Sequence, residues 1–510
     1  MAYPFSCKAE SINIRNLIYN SFDCRNDLSM ELLDALSSDI KVDSPIELSQ
    51  SHHITRKHSS ISQLITQFLT EESLSEILKN ISDSIKVHLD SFDNSESKIH
   101  YFALDETGIF KPCAVAMNDK GYVHGCSKTN SSIGVGHSYS YLVGLSPILG
   151  SWVIPIDLKR VATSDSAITL GLKQFTSHVS TQDKDETFVL TADSKYSTKE
   201  SVNEIYATES DTLLLTRLNS VRNLYFPYTG SQKRYGMDKE YGDVFKLHNE
   251  STWTKPDDQV EYKIISKRGK KYLVTLTKWK KLIMSGSNEI KMHDKYFDIV
   301  RVVITNEAGD PVYRKSMWLM LAGENRHLLN MKDIFKKYAD RFKIEHFFRF
   351  CKQRLLLGKY QTPDTPTQNK WCEFTALSYL NLISCSGLTN TDLLKPWQKG
   401  MQNPTGISSP SQTKRMFSSI VSEIGTPAKP CVYVPHGQGR KIGTELEKRG
   451  AKPVIKKSKS GHISILSDTE KKAKNSESKK IKKPTDRLSK KAVNNPYQIL
   501  IDFGMIDKAG

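Results

Sequence analysis

Several absences narrow the class of this chain before any motif is weighed. No apolar stretch in its 510 residues approaches the roughly 18 to 20 that a membrane span needs, and the first residues show no basic-then-apolar pattern. A soluble, cytoplasmic protein without a membrane partner is therefore expected. The eight cysteines, Cys7, Cys24, Cys113, Cys126, Cys351, Cys372, Cys385 and Cys431, are scattered and form no Cys-x-x-Cys pair. That argues against a structural zinc or a disulfide framework and leaves them as small hydrophobes in a reducing compartment. A P-loop is also missing, because Gly437-Gln438-Gly439-Arg440-Lys441 runs into Ile442 where a Ser or Thr opening a helix is required. Gly134-x-Gly136 lacks the third glycine of a dinucleotide fingerprint, so no nucleotide cofactor is expected.

Acidic residues are in the minority: 73 Lys and Arg against 56 Asp and Glu give a formal net charge of +17. Such an excess self-repels unless it meets phosphates or anionic lipid, and nucleic acid is the leading candidate. The length suggests roughly three domains, and 38% hydrophobic residues can bury a substantial core.

The most informative residues are Tyr338, Arg341, Glu345 and Lys352. Read as one helix at about 100° per residue, they fall within an arc of roughly 60°. Ile344, Phe347, Phe348, Cys351 and Leu355 cluster on a different arc, so a buried stripe lies beside a polar one. A solvated amphipathic helix has the same look, and the quartet by itself does not decide. The spacing Tyr-x-x-Arg-x-x-x-Glu-x-x-x-x-x-x-Lys resembles, without a gap, the signature of bacterial insertion-sequence DDE transposases of the cut-and-paste type, in the group called insertion-sequence family four. The resemblance implies that Glu345 is the third catalytic carboxylate and a metal ligand, and that Tyr338, Arg341 and Lys352 contact transposon-end DNA.

A site of that type needs two upstream Asp residues on different strands of one sheet, because two-metal phosphoryl transfer draws its carboxylates from separate elements. Tyr101-Phe102-Ala103-Leu104 reads as a buried strand ending at Asp105, and a second strand runs from Ile109 to Met117. Phe188-Val189-Leu190 leads through Thr191-Ala192 to Asp193, with a helix starting near Thr198-Lys199-Glu200. An Asp after a strand is more often a turn or cap residue, so neither carries weight by itself. Their order, with Glu345 on a late helix, matches the family at its Asp-x-Thr and Asp-x-x-Tyr steps. Glu106 departs from the pattern where many relatives have Asp, which keeps the charge. By this resemblance Asp105, Asp193 and Glu345 are catalytic and hold two Mg²⁺ ions, with Mn²⁺ able to substitute. The partners it implies are the transposon terminal inverted repeats and target DNA, bound by a homodimer.

The expected fold is α/β: an RNase H-like core interrupted by a β-rich insertion, with an N-terminal helical domain and a basic, partly disordered tail. The boundaries are 1–95 for the helical DNA-binding domain, 96–227 and 313–386 for the two core halves, and 228–312 for the insertion. Residues 387–455 form a helical and basic region, and 456–510 a Lys-rich tail with too little apolar surface to order itself. The N-terminal bundle has a second reading, as helices that only pack on the core. In the insertion, Lys267, Arg268, Lys270 and Lys271 make a cationic turn suited to phosphates, followed by Lys278-Trp279-Lys280-Lys281, whose Trp is expected to pack inward. Trp371, Phe374, Leu377 and Leu380 form a helical stripe against the sheet. Two other functions fit the same carboxylates: an RNase H-like nuclease that cuts without joining, and an inactive, domesticated DNA-binding protein.

Overall fold

The computed structural model describes residues 3–92, 98–124, 133–232, 239–266, 269–389, 406–432, 450–457 and 463–466. Long strands near the chain's middle assemble one mixed sheet of ten strands. They are β1 (Ile99–Phe110), β2 (Gly121–His124), β3 (Ile133–Leu145), β4 (Ile154–Val161), β5 (Thr187–Ala192), β6 (Thr212–Leu218), β9 (Asp258–Ile265), β10 (Lys271–Leu282), β11 (Phe297–Asn306) and β12 (Met317–Ala322). Their order is β2-β3-β1-β5-β6-β12-β11-β10-β9, with β4 also paired to β3. β1 is antiparallel to β3 but parallel to β5, which is parallel to β6. β7 (Asn223–Pro227) and β8 (Tyr241–Lys246) make a separate pair. The central strands β5 and β12 are buried throughout and β6 everywhere but Arg217, as strands covered on both faces must be.

Helices cover both faces. α5 (Ala167–Val179) and α6 (Lys199–Ala207) share a core with Phe102, Leu104, Phe188 and Leu190. On the other face α7 (Met331–Asp340) packs with Val189, Leu213 and Leu215, while α8 (Lys343–Arg354) joins the cluster that holds Ala103 and Tyr141. Period-two alternation sorts the strand residues: even-numbered side chains of β1 and β5 face α5, and odd-numbered ones face α7 and α8.

β9, β10 and β11 lie within 228–312, yet they continue the central sheet, because β12 bridges β11 to β6 along a run of apolar partners. α1 (Lys8–Asn20), α2 (Asn26–Ser37), α3 (His58–Gln63) and α4 (Glu71–Asp90) share one hydrophobic cluster with α9 (Thr365–Ile383), α10 (Pro410–Ile424) and β4. Helix α9 is buried on nearly all sides, so its stripe is a whole core cylinder. Arg15 pairs inside this bundle with Asp34 through two bonds of 2.8 and 3.0 Å and donates a third to Asn381. β13 (Val454–Lys457) and β14 (Ile463–Leu466) pair antiparallel across the boundary at 455/456 where the Lys-rich tail is expected to begin. Backbone bonds from Lys452 and Ile455 dock this segment on Val115 and Lys120. The remainder of the tail and the Gly437 to Lys441 stretch lie outside the described residues. Among the described residues no helix is long and apolar enough to cross a membrane.

Candidate active site

Asp105 does not end its strand as the sequence suggests. Strand β1 runs on through Asp105, Glu106 and Thr107, because antiparallel pairing with β3 continues from Tyr101 opposite Leu145 to Phe110 opposite Gly136. What ends is the parallel pairing on the other side, whose last registered pair is Leu104 with Ala192. Asp105 and Asp193 are therefore the next residues of two adjacent strands, just past the point where β5 stops. Both are odd-numbered and share the face that α8 covers.

Local bonds hold each carboxylate. Oδ1 of Asp105 accepts from the Glu106 amide at 2.8 Å, and Oδ1 of Asp193 accepts from the Ser194 amide at 2.6 Å, capping a short 3₁₀ turn over Ser194–Tyr196. The cap role and a functional role are thus compatible at Asp193.

The third carboxylate arrives on α8. Phe347 and Phe348 of that helix meet the ring of Tyr141 edge-on, at 5.6 and 5.3 Å between centroids. Tyr141 is the strand neighbour of Asp105, so the aromatic contact that seats α8 also sets Glu345 beside Asp105. The stripe Ile344, Phe347, Phe348, Cys351 and Leu355 is buried.

The helix expected to carry all four signature residues is in fact two. α7 stops at Asp340, and tight bonds from Phe342 to Ala339 and from Ile344 to Arg341 join it to α8. Tyr338 lies upstream of this joint and is 1% exposed within the α7 core, its ring edge-on to Phe342. Arg341 sits at the joint, also 1% exposed, and its guanidinium reaches Asp105 Oδ2 at 3.2 Å and Glu345 Oε1 at 3.1 Å. The ring of Phe342 backs it at 4.5 Å. Lys352, partly buried, follows Glu345 by seven residues, which returns it to nearly the same face of α8 about 10 Å along the axis.

Charge in the cluster is unbalanced, with three carboxylates near one buried guanidinium. Burial pushes the Asp105 carboxyl above its ordinary range, opposed by Arg341 and reinforced by Asp193. Burial likewise raises Glu345, opposed by Arg341 and reinforced by Asp105 and Asp193. Hard carboxylate oxygens with a surplus of negative charge suit Mg²⁺ or Mn²⁺ chemically. As they stand, though, no three His, Cys, Asp or Glu side chains among the described residues form a metal-holding group. Arg341 instead draws Asp105 and Glu345 to itself, and the Glu345 side chain is 42% exposed.

Two neighbours were missed as functional candidates although Ser194-Lys195-Tyr196 stood in plain view. Lys195, mostly exposed, reaches Glu106 at 3.8 Å. Tyr196 is buried, and burial followed by Asp105, Glu106 and Asp193 raises its hydroxyl pKa. Gly171 of α5 allows that packing, since a Cβ there would stand 2.8 Å from Leu104 and 3.0 Å from the Tyr196 hydroxyl.

The expected DNA contacts in the second half of the sheet fare unevenly. Lys267 and Arg268 lie outside the described residues, while Lys270 and Lys271 are exposed at the start of β10. Lys278 is buried and paired with Asp298 at 2.9 Å, which also takes Arg326 at 3.4 Å. Trp279 packs inward among Phe245, Trp253 and Trp318, with its indole N–H donated to the Thr254 carbonyl.

No family model and no curated protein matches the sequence. Among solved structures, the cryo-EM structure of a piggyBac transposase synaptic complex with hairpin DNA is similar at TM-score 0.35 and 10% identity, over 79% of this chain and 72% of that one.

Proposed function

We propose that this chain is a DDE-type transposase that cleaves DNA at the ends of a mobile element and joins the freed 3′ end to target DNA. The observation that carries the reading is the convergence of Asp105, Asp193 and Glu345, singled out from segments up to 240 positions apart, around the buried guanidinium of Arg341. Support for an RNase H-like core is the pair of neighbouring parallel strands that deliver the two Asp residues to one face.

The three carboxylates would hold two Mg²⁺ ions, which when bound supply charge neutralisation for in-line displacement at phosphorus. The chain's own residues do the rest. The Asp105 and Asp193 side chains are oriented by adjacent backbone amides, so little reorganisation is needed at the site. Arg341 neutralises Asp105 and Glu345 in the resting state, and its planar fork suits a phosphate once the more exposed Glu345 turns away. Lys352 and Lys195, near the cluster's edge, suit the DNA backbone on either side of the cut. Water and a 3′-hydroxyl then act in turn as nucleophiles in the same displacement.

The test is Mg²⁺-dependent cleavage and strand transfer on DNA bearing the element's terminal repeats, comparing the native chain with Glu345→Ala at matched DNA binding. Loss of both steps in the variant alone is expected. Cleavage without joining in the native chain would make it a nuclease, and inactivity of both proteins with retained binding would make it a DNA-binding relic.

A further inference from the structure

Away from the carboxylate triad, α4, β4, α5 and α9 enclose a recess of about 480 Å³. This is within the roughly 300–1,000 Å³ of small-molecule sites and far more than one water's share of about 30 Å³. Its character runs against the rest of the chain. In a protein of net charge +17 the recess presents Glu71, Glu72 and Glu76 from α4, Asp157 from β4 and Glu373 from α9. Its basic side chains are Lys79 at the rim, Lys159, which is turned to Asp157 at 3.6 Å, Arg160, which is paired with Asp119 outside it, and His178, whose pKa burial lowers to about 4. The carboxyl groups outnumber the cations, which disfavours a phosphate backbone here.

Two buried acceptors in the recess are unmet. Glu373 is 5% exposed, and its Oε2 has no hydrogen-bond partner among the described residues. Gln174 of α5, also 5% exposed, donates its amide to the Ser140 carbonyl at 3.3 Å and to Asp157 at 3.0 Å, which leaves its Oε1 unpartnered. Orphaned buried oxygens cost about 1–3 kcal/mol each, and folds retain them where something else satisfies them. Burial pushes the Glu373 carboxyl up to about 9, opposed by Lys159 and reinforced by Glu71, Asp157 and Glu72.

We infer that this recess binds a linear organic polyamine. The acceptors stand at two depths, Glu373 and Gln174 inside and the exposed Glu72 and Glu76 at the rim. Ammonium centres separated by methylenes satisfy both depths at once, and Ile156 and Leu158 on the wall offer the methylenes apolar contact. A bare divalent ion would leave most of the volume unfilled, and no preformed three-carboxylate cage exists here among the described residues.

Calorimetric titration of the full chain with spermidine, at low salt and without DNA or Mg²⁺, tests this. Saturable one-to-one binding is expected, weakened at least about tenfold by Glu373→Gln, since a charge-assisted hydrogen bond is lost. The rim double variant Glu72→Gln/Glu76→Gln, altered only at exposed positions, should weaken it too and serves if the buried variant does not fold. Glu209→Gln, in an exposed pair with Lys184, should leave binding unchanged. Absence of saturable heat would mean that water alone fills the recess. Equal weakening by Glu209→Gln would mean diffuse charge attraction, and Mg²⁺ displacing spermidine in a Glu373-dependent way would mean an inorganic site. Each of these results overturns the assignment.

Discussion

Replacing Arg341 with methionine keeps an unbranched side chain in the joint between α7 and α8 while deleting a buried cation that faces the carboxylates. Two ion pairs go, at 3.2 Å to Asp105 and 3.1 Å to Glu345. Removing one partner of a fully buried pair costs about 3–5 kcal/mol, because the charge left behind has no compensation. Here the Asp105 side chain is 19% exposed and that of Glu345 is 42%, so Glu345 can turn to water and its share falls toward the value of an exposed pair, about 1 kcal/mol or less. The expected loss is therefore about 2–4 kcal/mol. In urea with chelator present, this lowers the unfolding midpoint by on the order of 1 M, for a slope near 3 kcal/mol/M. Added Mg²⁺ should then raise the midpoint of Arg341→Met more than that of the native chain, since a bound cation replaces the missing charge and binding to the folded state alone stabilises it. Arg341→Lys, which keeps the charge but not the two-pronged geometry, should fall between. A midpoint in chelator equal to the native one would refute the compensating role of Arg341. Equal Mg²⁺ responses in the two proteins would refute the carboxylates as the metal-holding set.

Other outcomes follow from geometry already described. Arg15→Met strands the buried Asp34 and Asn381 and should cost about 3–5 kcal/mol, with early proteolytic release of α1 as the readout. Gly171→Ala forces a methyl against Leu104 and the Tyr196 hydroxyl, and should cost about 1–3 kcal/mol while lowering cleavage activity more than DNA binding. For Glu373 the folded pKa of about 9 lies above that of the unfolded chain, so its contribution to stability is complete below about pH 4.5 and is lost as pH rises toward 9. Glu373→Gln should accordingly flatten the fall in urea midpoint over that window. A variant with the native pH slope would contradict the assignment of the shift to this residue.

The strands that position the site were legible because burial on both faces demands continuous apolar runs, and Phe188 to Ala192 and Met317 to Leu321 are such runs. Asp105 and Asp193 could be picked out because each follows one. Their side-by-side register was not legible, since it depends on where the parallel pairing of β1 and β5 ends. The break at Arg341 and Phe342 was hidden for a different reason: its residues stay close to helical dihedrals, so the apolar period hardly changes while the hydrogen bonds shorten to 3₁₀ type. The buried place of Tyr338 follows from that joint. Lys278 read as one more lysine of the cationic run because its counter-ion, Asp298, sits on the next strand and the pairing register was not legible. The N-terminal helices showed their apolar faces, but nothing local named their partner, which lies more than 300 residues downstream.

That last separation has a consequence for how the molecule comes into being. Ser37 of α2 bonds to Ser378 of α9 across 341 positions, and Lys414 of α10 donates to carbonyls at the end of α2. During synthesis at about 5–20 residues per second, α1 and α2 leave the ribosome on the order of tens of seconds before the helices that bury them. Their oily faces must wait unburied for that interval. A chain cut short before α9 should therefore keep an adhesive N-terminus and not an autonomous folded fragment.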